Sequence, residues 1–335
     1  MREIKLGTIG SGSIVRSILD QVGLTDRISL HAVYSRSEEK GRALADAYSC
    51  TKVSTDLDAF LSDESFDTVY IASPNLLHYE QAKRALLAGK HVLLEKPFCA
   101  RAQQTGELMR IAKQHKLFLI EMAPTTFLPN YALLERKLAE IGRIRLVMSN
   151  YSQYSSRYDA LRAGRMTNVF NPAYGGGCLM DINYYNVLLN TALFGKPLNA
   201  VYYPNIRKGQ ADTSGVMVLQ YEDFVSTNVG AKDTWGVNYF QIEGEEGFIY
   251  IEGGANGIAS LRVVTRTGDV TLNEQPNPDR WYYEVQKVVR LMCEEDYDAA
   301  EARLAISLAV TEILEGARRK AHIVFPGDDM DRKEE

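Results

Sequence analysis

Hydrophobic and polar residues alternate in two different ways along this chain, and the change falls near residue 122. Before it, short apolar runs that are typical of buried parallel strands take turns with segments of helical periodicity. The predicted strands are 4–9, 29–34, 68–72, 91–94 and 117–121, and the predicted helices are 14–22, 38–48, 57–61, 79–88 and 102–113. This alternation predicts a parallel sheet with helices on both faces and a ligand at the carboxyl ends of its strands.

After residue 122, strands are predicted close together, joined by tight turns such as Glu222-Asp223 and Gly253-Gly254. Such spacing favours an antiparallel sheet. The predicted strands are 144–151, 198–207, 214–221, 224–231, 239–251 and 259–267, and the main helices are 179–194 and 299–320. The fold class is therefore α/β. We predict a Rossmann domain over 1–122, an α+β domain with an open, mainly antiparallel sheet over 123–330, and a frayed tail over 331–335.

Composition and charge narrow the function classes. The chain has 335 residues and a formal net charge of −5, whereas a nucleic-acid binder usually carries a basic surplus. The four cysteines lie far apart, which predicts reduced thiols and no metal site. No apolar stretch approaches the roughly 20 residues of a membrane helix, and the first residues show no secretory pattern. We expect a cytoplasmic protein with no nucleic-acid or membrane partner.

The sequence Gly10-Ser11-Gly12-Ser13-Ile14-Val15 joins the first predicted strand to the first predicted helix. Gly10 permits a tight turn, and Gly12 lets the backbone approach a pyrophosphate. The N–H groups at the helix start, Ser13 and Ile14 among them, would then hold the anion. Because the motif stands at a strand–helix junction, it favours dinucleotide binding over an ordinary glycine-rich turn.

The end of the second predicted strand reads Tyr34-Ser35-Arg36-Ser37, with no acid before Glu38. An acidic residue there would bind the ribose 2′-hydroxyl of NAD, whereas a hydroxyl and a forked guanidinium suit a 2′-phosphate. Ser35 and Arg36 therefore favour NADP(H), with NAD(H) still possible. In the alternative interpretation, Arg36 stacks on the adenine and does not distinguish the two cofactors.

The segment Gly89-Lys90-His91-Val92 is followed by Glu95-Lys96-Pro97, which brings a lysine to the ligand edge of the predicted sheet. Together with Gly10-Ser11-Gly12, Ala72-Ser73-Pro74-Asn75 and Gly175-Gly176-Gly177, it resembles the signature of the Gfo/Idh/MocA oxidoreductases. The resemblance covers essentially the whole chain. It implies a Rossmann domain followed by a substrate-binding and oligomerisation domain with an open sheet.

The resemblance also assigns roles. Lys96 is expected to be the catalytic lysine that contacts cofactor and substrate, with Glu95 supporting the nicotinamide end. Ser73 and Asn75 are expected to line the cofactor. His78 is included among the cofactor-binding residues, with a purely structural position at a helix start as the alternative.

The second candidate site lies on the predicted helix 179–194. Asp181 and Tyr185 are four residues apart and so share a helical face. By resemblance, Asp181 orients the substrate and Tyr185 transfers the proton with help from Lys96. The sequence departs from the family at Asn183, where glycine is common. Thr126 replaces an arginine of the dihydrodiol dehydrogenase branch, which argues against that branch's substrate.

The expected activity is hydride transfer between a nicotinamide cofactor and a sugar, polyol or related small hydroxy or carbonyl compound. Two alternatives stay open at this point. One is a glycosidase that oxidises its substrate transiently with a retained NAD, and the other is a non-catalytic nucleotide-binding regulator. An exposed face of the open sheet predicts a homodimer or homotetramer.

Overall fold

A computed structural model describes residues 3–206 and 211–328 of the chain. The first compact unit contains a six-stranded sheet and the helices that connect its strands. Its strands are β1 (Ile4–Ile9), β2 (Ile28–Tyr34), β3 (Lys52–Ser54), β4 (Thr68–Ile71), β5 (His91–Glu95) and β6 (Leu119–Met122), and its helices are α1 (Ser13–Val22), α2 (Glu38–Ala47), α3 (Leu57–Leu61), α4 (His78–Leu87) and α5 (Ala102–His115).

All six strands are parallel and lie in the order β3-β2-β1-β4-β5-β6. This is the strand order of a Rossmann fold, so the predicted fold of the first part is confirmed. Strand β3 was not predicted, because its three residues are too few to show a periodicity. Gly89 follows the end of α4 with φ of +78°, a left-handed conformation that suits glycine.

The second compact unit contains an eight-stranded sheet. Its helices are α6 (Pro129–Lys137), α7 (Ser156–Arg162) and α8 (Tyr184–Phe194), and its strands are β7 (Ile144–Ser152), β8 (Asn199–Ile206), β9 (Asp212–Gln220), β10 (Val225–Ala231), β11 (Tyr239–Gly244), β12 (Gly247–Glu252), β13 (Ser260–Thr265) and β14 (Gly268–Leu272). The order is β14-β13-β12-β11-β7-β10-β9-β8. Only β7 and β10 pair in parallel among these strands, so the predicted open, mainly antiparallel sheet is confirmed.

Several predicted boundaries in this unit were wrong. The predicted strand 239–251 is a hairpin of β11 and β12, because the chain turns at Glu245 and Glu246 between two glycines. The N–H of Glu246 donates to the carbonyl of Ile141 over 2.9 Å, which fixes the turn against the preceding loop. Strand β14 and helices α6 and α7 were not predicted.

The chain continues with α9 (Arg280–Cys293) and α10 (Tyr297–Lys320). Residues Asp279–Leu308 belong to the first unit, so the predicted assignment of 123–330 to one domain needs correction. The reason is packing: Asp279 accepts a hydrogen bond from Gln21 over 2.9 Å, and the Tyr297 ring stacks on Phe118 at 4.2 Å. The predicted tail 331–335 lies outside the described residues. No helix within 3–206 and 211–328 is both long and apolar enough to span a membrane.

Candidate active site

The turn after β1 has the geometry of a phosphate-binding turn. Gly10 has φ of +121°, and a Cβ there would lie 2.7 Å from the carbonyl oxygen of Ala72, so only glycine fits. At Gly12, by contrast, a Cβ would meet no heavy atom within 4 Å. No side chain caps α1 at Gly12, so the N–H groups of Ser13 and Ile14 open its first turn towards an anion. The space next to Gly12 is therefore clear of protein atoms, as the predicted contact with a pyrophosphate requires.

The turn after β2 presents Arg36 to solvent. Ser35 is buried, and its Oγ accepts a hydrogen bond from the N–H of Ser37 over 3.3 Å. Ser37 in turn caps α2 by accepting from the N–H of Lys40. Of the two predicted 2′-phosphate contacts, Arg36 is therefore the accessible one, while Ser35 shapes the turn that carries it.

His78 holds two loops of this sheet edge together. It is 1% exposed, and its ring nitrogens lie 2.9 Å from the carbonyl oxygen of Ser73 and 3.0 Å from that of Pro97. Burial lowers the pKa of His78. This geometry matches the structural alternative, because both ring nitrogens are engaged by backbone. Contact of His78 with the cofactor stays a prediction, as do the contacts of Ser73 and Asn75, which are half-buried after β4.

Lys96 follows β5 at the carboxyl edge of the sheet, the same edge as Gly10 and Ser73, and it is half-buried. The preceding Glu95 is buried and accepts a hydrogen bond from the hydroxyl of Tyr70 over 2.7 Å. Burial raises the pKa of Glu95 to about 7, although the Tyr70 hydrogen bond and the charge of Lys96 act in the opposite direction. The sheet therefore delivers an ammonium group beside a carboxyl that titrates near neutrality.

Another buried carboxyl, Glu284 on α9, was missed because that helix was not predicted. Glu284 is 0% exposed, and within the described part of the chain neither carboxyl oxygen has a hydrogen-bond partner. Burial, followed by the charge of Glu95, raises the pKa of Glu284 well above its usual value. The helical spacing of Trp281, Val285 and Met292 is the signal that would have revealed α9. No cluster of metal-ligand type occurs in residues 3–206 and 211–328.

In the second unit, Asp181 and Tyr185 lie at the start of α8. The predicted single helix 179–194 is corrected here: Leu179–Asn183 forms a π-helical turn that leads into α8. Tyr185 is 4% exposed, and the rings of Tyr151 and Tyr184 pack edge-on against it at 5.8 Å and 5.5 Å. Asp181, in contrast, keeps about a third of its side chain, 35%, exposed.

The start of this helix is fixed by Asp212, at the beginning of β9. Its Oδ2 accepts hydrogen bonds from the N–H of Leu179 and the hydroxyl of Tyr202, each over 2.7 Å. Burial raises the pKa of Asp212 to about 6, and these hydrogen bonds act against that shift. Asp212 therefore anchors the turn that carries Asp181 to the sheet.

Two of the three glycines before the turn, Gly176 and Gly177, leave no room for a side chain. A Cβ on Gly176 would lie 2.6 Å from the carbonyl oxygens of Asn168 and Val169. Gly177 has φ of +138° and faces the Asp212 carboxyl at a distance that admits no side chain. Short 3₁₀ turns and close backbone contacts hold this segment.

Asn183, which departs from the family pattern, belongs to a buried amide network. Its Nδ2 donates to the carbonyl of Asn228 over 3.1 Å, and its Oδ1 accepts from Asn186 over 3.0 Å. Asn190 donates to Oδ1 of Asn228 over 2.8 Å. These bonds tie α8 to β10 and so fix the rotation of the helix that bears Tyr185.

Two family patterns match this chain. The pattern of the oxidoreductase family with an NAD-binding Rossmann fold matches residues 4–122, and that of the GFO/IDH/MocA C-terminal domain matches residues 137–250. The chain belongs to the Gfo/Idh/MocA oxidoreductases. The family assignment made from the motifs is confirmed.

The relatives of this Gfo/Idh/MocA chain include named enzymes. It is 35% identical over 328 residues to an NADP-dependent scyllo-inositol 2-dehydrogenase of Bacillus subtilis, covering 97% of this chain and 99% of that one. It is 30% identical over 281 residues to an NADP-dependent D-xylose 1-dehydrogenase of Haloferax volcanii, covering 79% and 83%. A solved 3-ketoreductase of Actinomadura kijaniata, in complex with NADP and TDP-benzene, superposes with a TM-score of 0.83 at 20% identity, covering 95% and 98%.

Membership of this family makes the chain an NAD(P)-dependent dehydrogenase or reductase that acts on CH–OH groups. The alternative of a non-catalytic regulator is therefore wrong.

Proposed function

We propose that this enzyme uses NADP(H) to interconvert a ring secondary alcohol and a ketone in a polyol or sugar. The observation that carries the proposal is the single sheet edge that holds both the open N-terminus of α1 and Lys96. The relative named for scyllo-inositol, a ring polyol, supports this reaction, and the relative named a D-xylose 1-dehydrogenase supports sugars as a wider substrate class. Scyllo-inositol is the first compound to test.

The first unit supplies the cofactor site. Gly10, Gly12 and the first turn of α1 hold the pyrophosphate, and Ser73 and Asn75 line the cofactor beyond it. The bound nicotinamide supplies or accepts the hydride. Arg36 binds the 2′-phosphate through its forked donors, which favours NADP(H) over NAD(H) because no acidic residue follows β2 directly.

Three side chains act on the substrate. Lys96 donates hydrogen bonds to the reacting oxygen and stabilises negative charge on it. Tyr185 gives or takes the proton of that oxygen as a general acid or base. Asp181 accepts a hydrogen bond from a neighbouring hydroxyl of the substrate and so fixes the orientation of the ring.

The test replaces Lys96 with methionine, which keeps the length of the side chain and removes its charge. We expect Lys96→Met to bind NADPH within a few-fold of the wild type and to lose about 100-fold or more in turnover. Lys113→Met is the matched control, because Lys113 is an exposed lysine of the same unit that pairs with Glu301. Unchanged turnover in Lys96→Met would show that Lys96 takes no part in the reaction.

We also propose a homodimer or homotetramer formed through the second sheet. Apolar side chains on its outer face, such as Val216, Val218 and Tyr250, are only half-buried, and Tyr203 is 64% exposed. Apolar side chains left partly exposed on one face of a sheet favour cover by a second copy. Light scattering after size exclusion should give at least twice the mass of one chain; a single-chain mass at micromolar concentration would contradict it.

A further inference from the structure

Lys232 is a charged residue whose backbone is held on both sides. It follows β10 directly, and its N–H donates to the carbonyl of Thr213 over 2.8 Å. Its own carbonyl accepts from the N–H of Ser155 over 2.9 Å. The start of the Lys232 side chain is therefore fixed by the segments on either side of it.

The side chain of Lys232 is buried and forms an ion pair with Asp181. Only 4% of it is exposed, compared with 35% of Asp181, and its Nζ contacts Oδ2 of that carboxylate. The ammonium also lies 5.6 Å from the ring centre of Phe170, at cation–π distance. Asp181 is therefore the solvent-accessible member of the pair, and Lys232 is the buried one.

The other acidic groups near Lys232 have their own donors. Asp212 accepts from Leu179 and Tyr202, as described above, and Asp233 accepts from the hydroxyls of Thr213 and Ser214 over 2.7 Å and 3.0 Å. The ion pair with Asp181 is thus a contact that directs the Lys232 side chain.

Stability alone gives a weak reason for a lysine in this position. Removing an ammonium group from water is costly, and a well-packed apolar side chain of similar volume is often as stable as a buried ion pair or more so. A buried charge at this position therefore indicates a role towards the group that the ammonium contacts. That group is the carboxylate expected to bind the substrate.

We infer that Lys232 is a positioning residue for Asp181. It keeps this carboxylate ionised and turned so that its accessible part accepts a hydroxyl of the substrate. Asp181 then serves as an anchor for the ring, and the proton transfer is left to Tyr185. This inference rests on the proposed function, in which Asp181 contacts the substrate.

The experiment is a double-substitution cycle with Lys232→Met, Asp181→Asn and the two combined. It is run with NADP⁺ and scyllo-inositol, or with the polyol or sugar that the wild type oxidises fastest. Lys196→Met is the matched control, since Lys196 is an exposed lysine of the same unit paired with Glu312. The thermal midpoint and NADPH affinity of each variant are measured alongside. If Lys232→Met does not fold, Lys232→Gln takes its place with the same expectations.

We expect Lys232→Met to raise KM about 10- to 100-fold, the effect of a hydrogen bond to a charged acceptor, with kcat within about threefold. In the Asp181→Asn background the same change should have almost no further effect. An unchanged KM in Lys232→Met would overturn the inference while leaving the role of Asp181 intact. Equal losses in both backgrounds would also overturn it, because Lys232 would then act on the substrate directly.

An unaffected Asp181→Asn variant would instead refute the role of Asp181 in the proposed function, and the inference would fail with it. The two failures are therefore distinguishable in a single set of measurements.

Discussion

The two glycines of the turn after β1 should respond in opposite ways to substitution. Gly12→Val adds a side chain where a Cβ meets no atom of the protein, on an extended backbone with φ of −77° that valine adopts readily. Gly10→Ala adds a Cβ where φ is +121° and the carbonyl oxygen of Ala72 would be 2.7 Å away. The first change fills space that we assign to the pyrophosphate; the second strains the fold itself.

The magnitudes follow from these contacts. At the start of α1, exchanging glycine for valine should cost under about 1 kcal/mol of stability. For Gly10→Ala, about 1–3 kcal/mol of backbone strain adds to about 1–3 kcal/mol of overpacking, or about 2–6 kcal/mol. The thermal midpoint should then fall by at least about 4 °C, at roughly 2–4 °C for each kcal/mol.

The assays are thermal unfolding without cofactor and fluorescence titration with NADPH. Gly12→Val should unfold within a few degrees of the wild type yet bind NADPH about 10- to 100-fold more weakly, the loss expected for one charge-assisted hydrogen bond to the pyrophosphate. Wild-type affinity in Gly12→Val would show that the cofactor does not lie over α1. A fall in midpoint equal to that of Gly10→Ala would show that the turn geometry is wrong.

Two further predictions concern the first unit. Arg36→Ala should weaken NADPH binding about 10- to 100-fold and NADH binding less than threefold. Arg42→Ala is the control and should change neither affinity, since Arg42 is an exposed arginine paired with Glu38. Equal losses for both cofactors in Arg36→Ala would indicate that Arg36 stacks on the adenine. Glu284→Gln tests the buried carboxyl. Because folding raises the pKa of Glu284, the wild type loses stability as pH rises from about 4.5 through the folded-state pKa. The glutamine variant has no titrating group at this position and does not show this loss. The midpoint difference between variant and wild type should be near zero at pH 4 and grow to at least about 2 °C by pH 8; a constant difference would contradict it.

The sequence alone predicts those parts of the fold and of the candidate site that depend on local patterns. Gly10, Gly12 and Lys96 each stand within three residues of the end of a buried apolar run, and parallel strands bring such positions to one edge. Lys232 in the second sheet also follows a predicted strand directly, but that position alone does not predict its role. Its role depends on Asp181, 51 residues earlier in the chain, and no local pattern shows that contact.

Long-range contacts also explain the π-helical turn. The N–H of Leu179 is held by Asp212, 33 residues later, and Gly177 packs against the same carboxyl. A sequence window that contains only residues 175–194 predicts an ordinary α-helix, because the group that fixes its start lies on another strand. His78 shows the same limit: its motif position suggests a ligand contact, and only the two backbone carbonyls around it reveal a structural role.

Transfer of deuterium from substrate to cofactor tests the central claim most directly. NADP⁺ is incubated with the enzyme and with scyllo-inositol or D-xylose carrying deuterium on the ring carbons, and the NADPH formed is analysed by mass spectrometry. We expect the label on the reduced nicotinamide with the wild type and its near-complete loss with Lys96→Met. Consumption of the substrate without labelled NADPH, as in transient oxidation by a retained cofactor, would contradict the account.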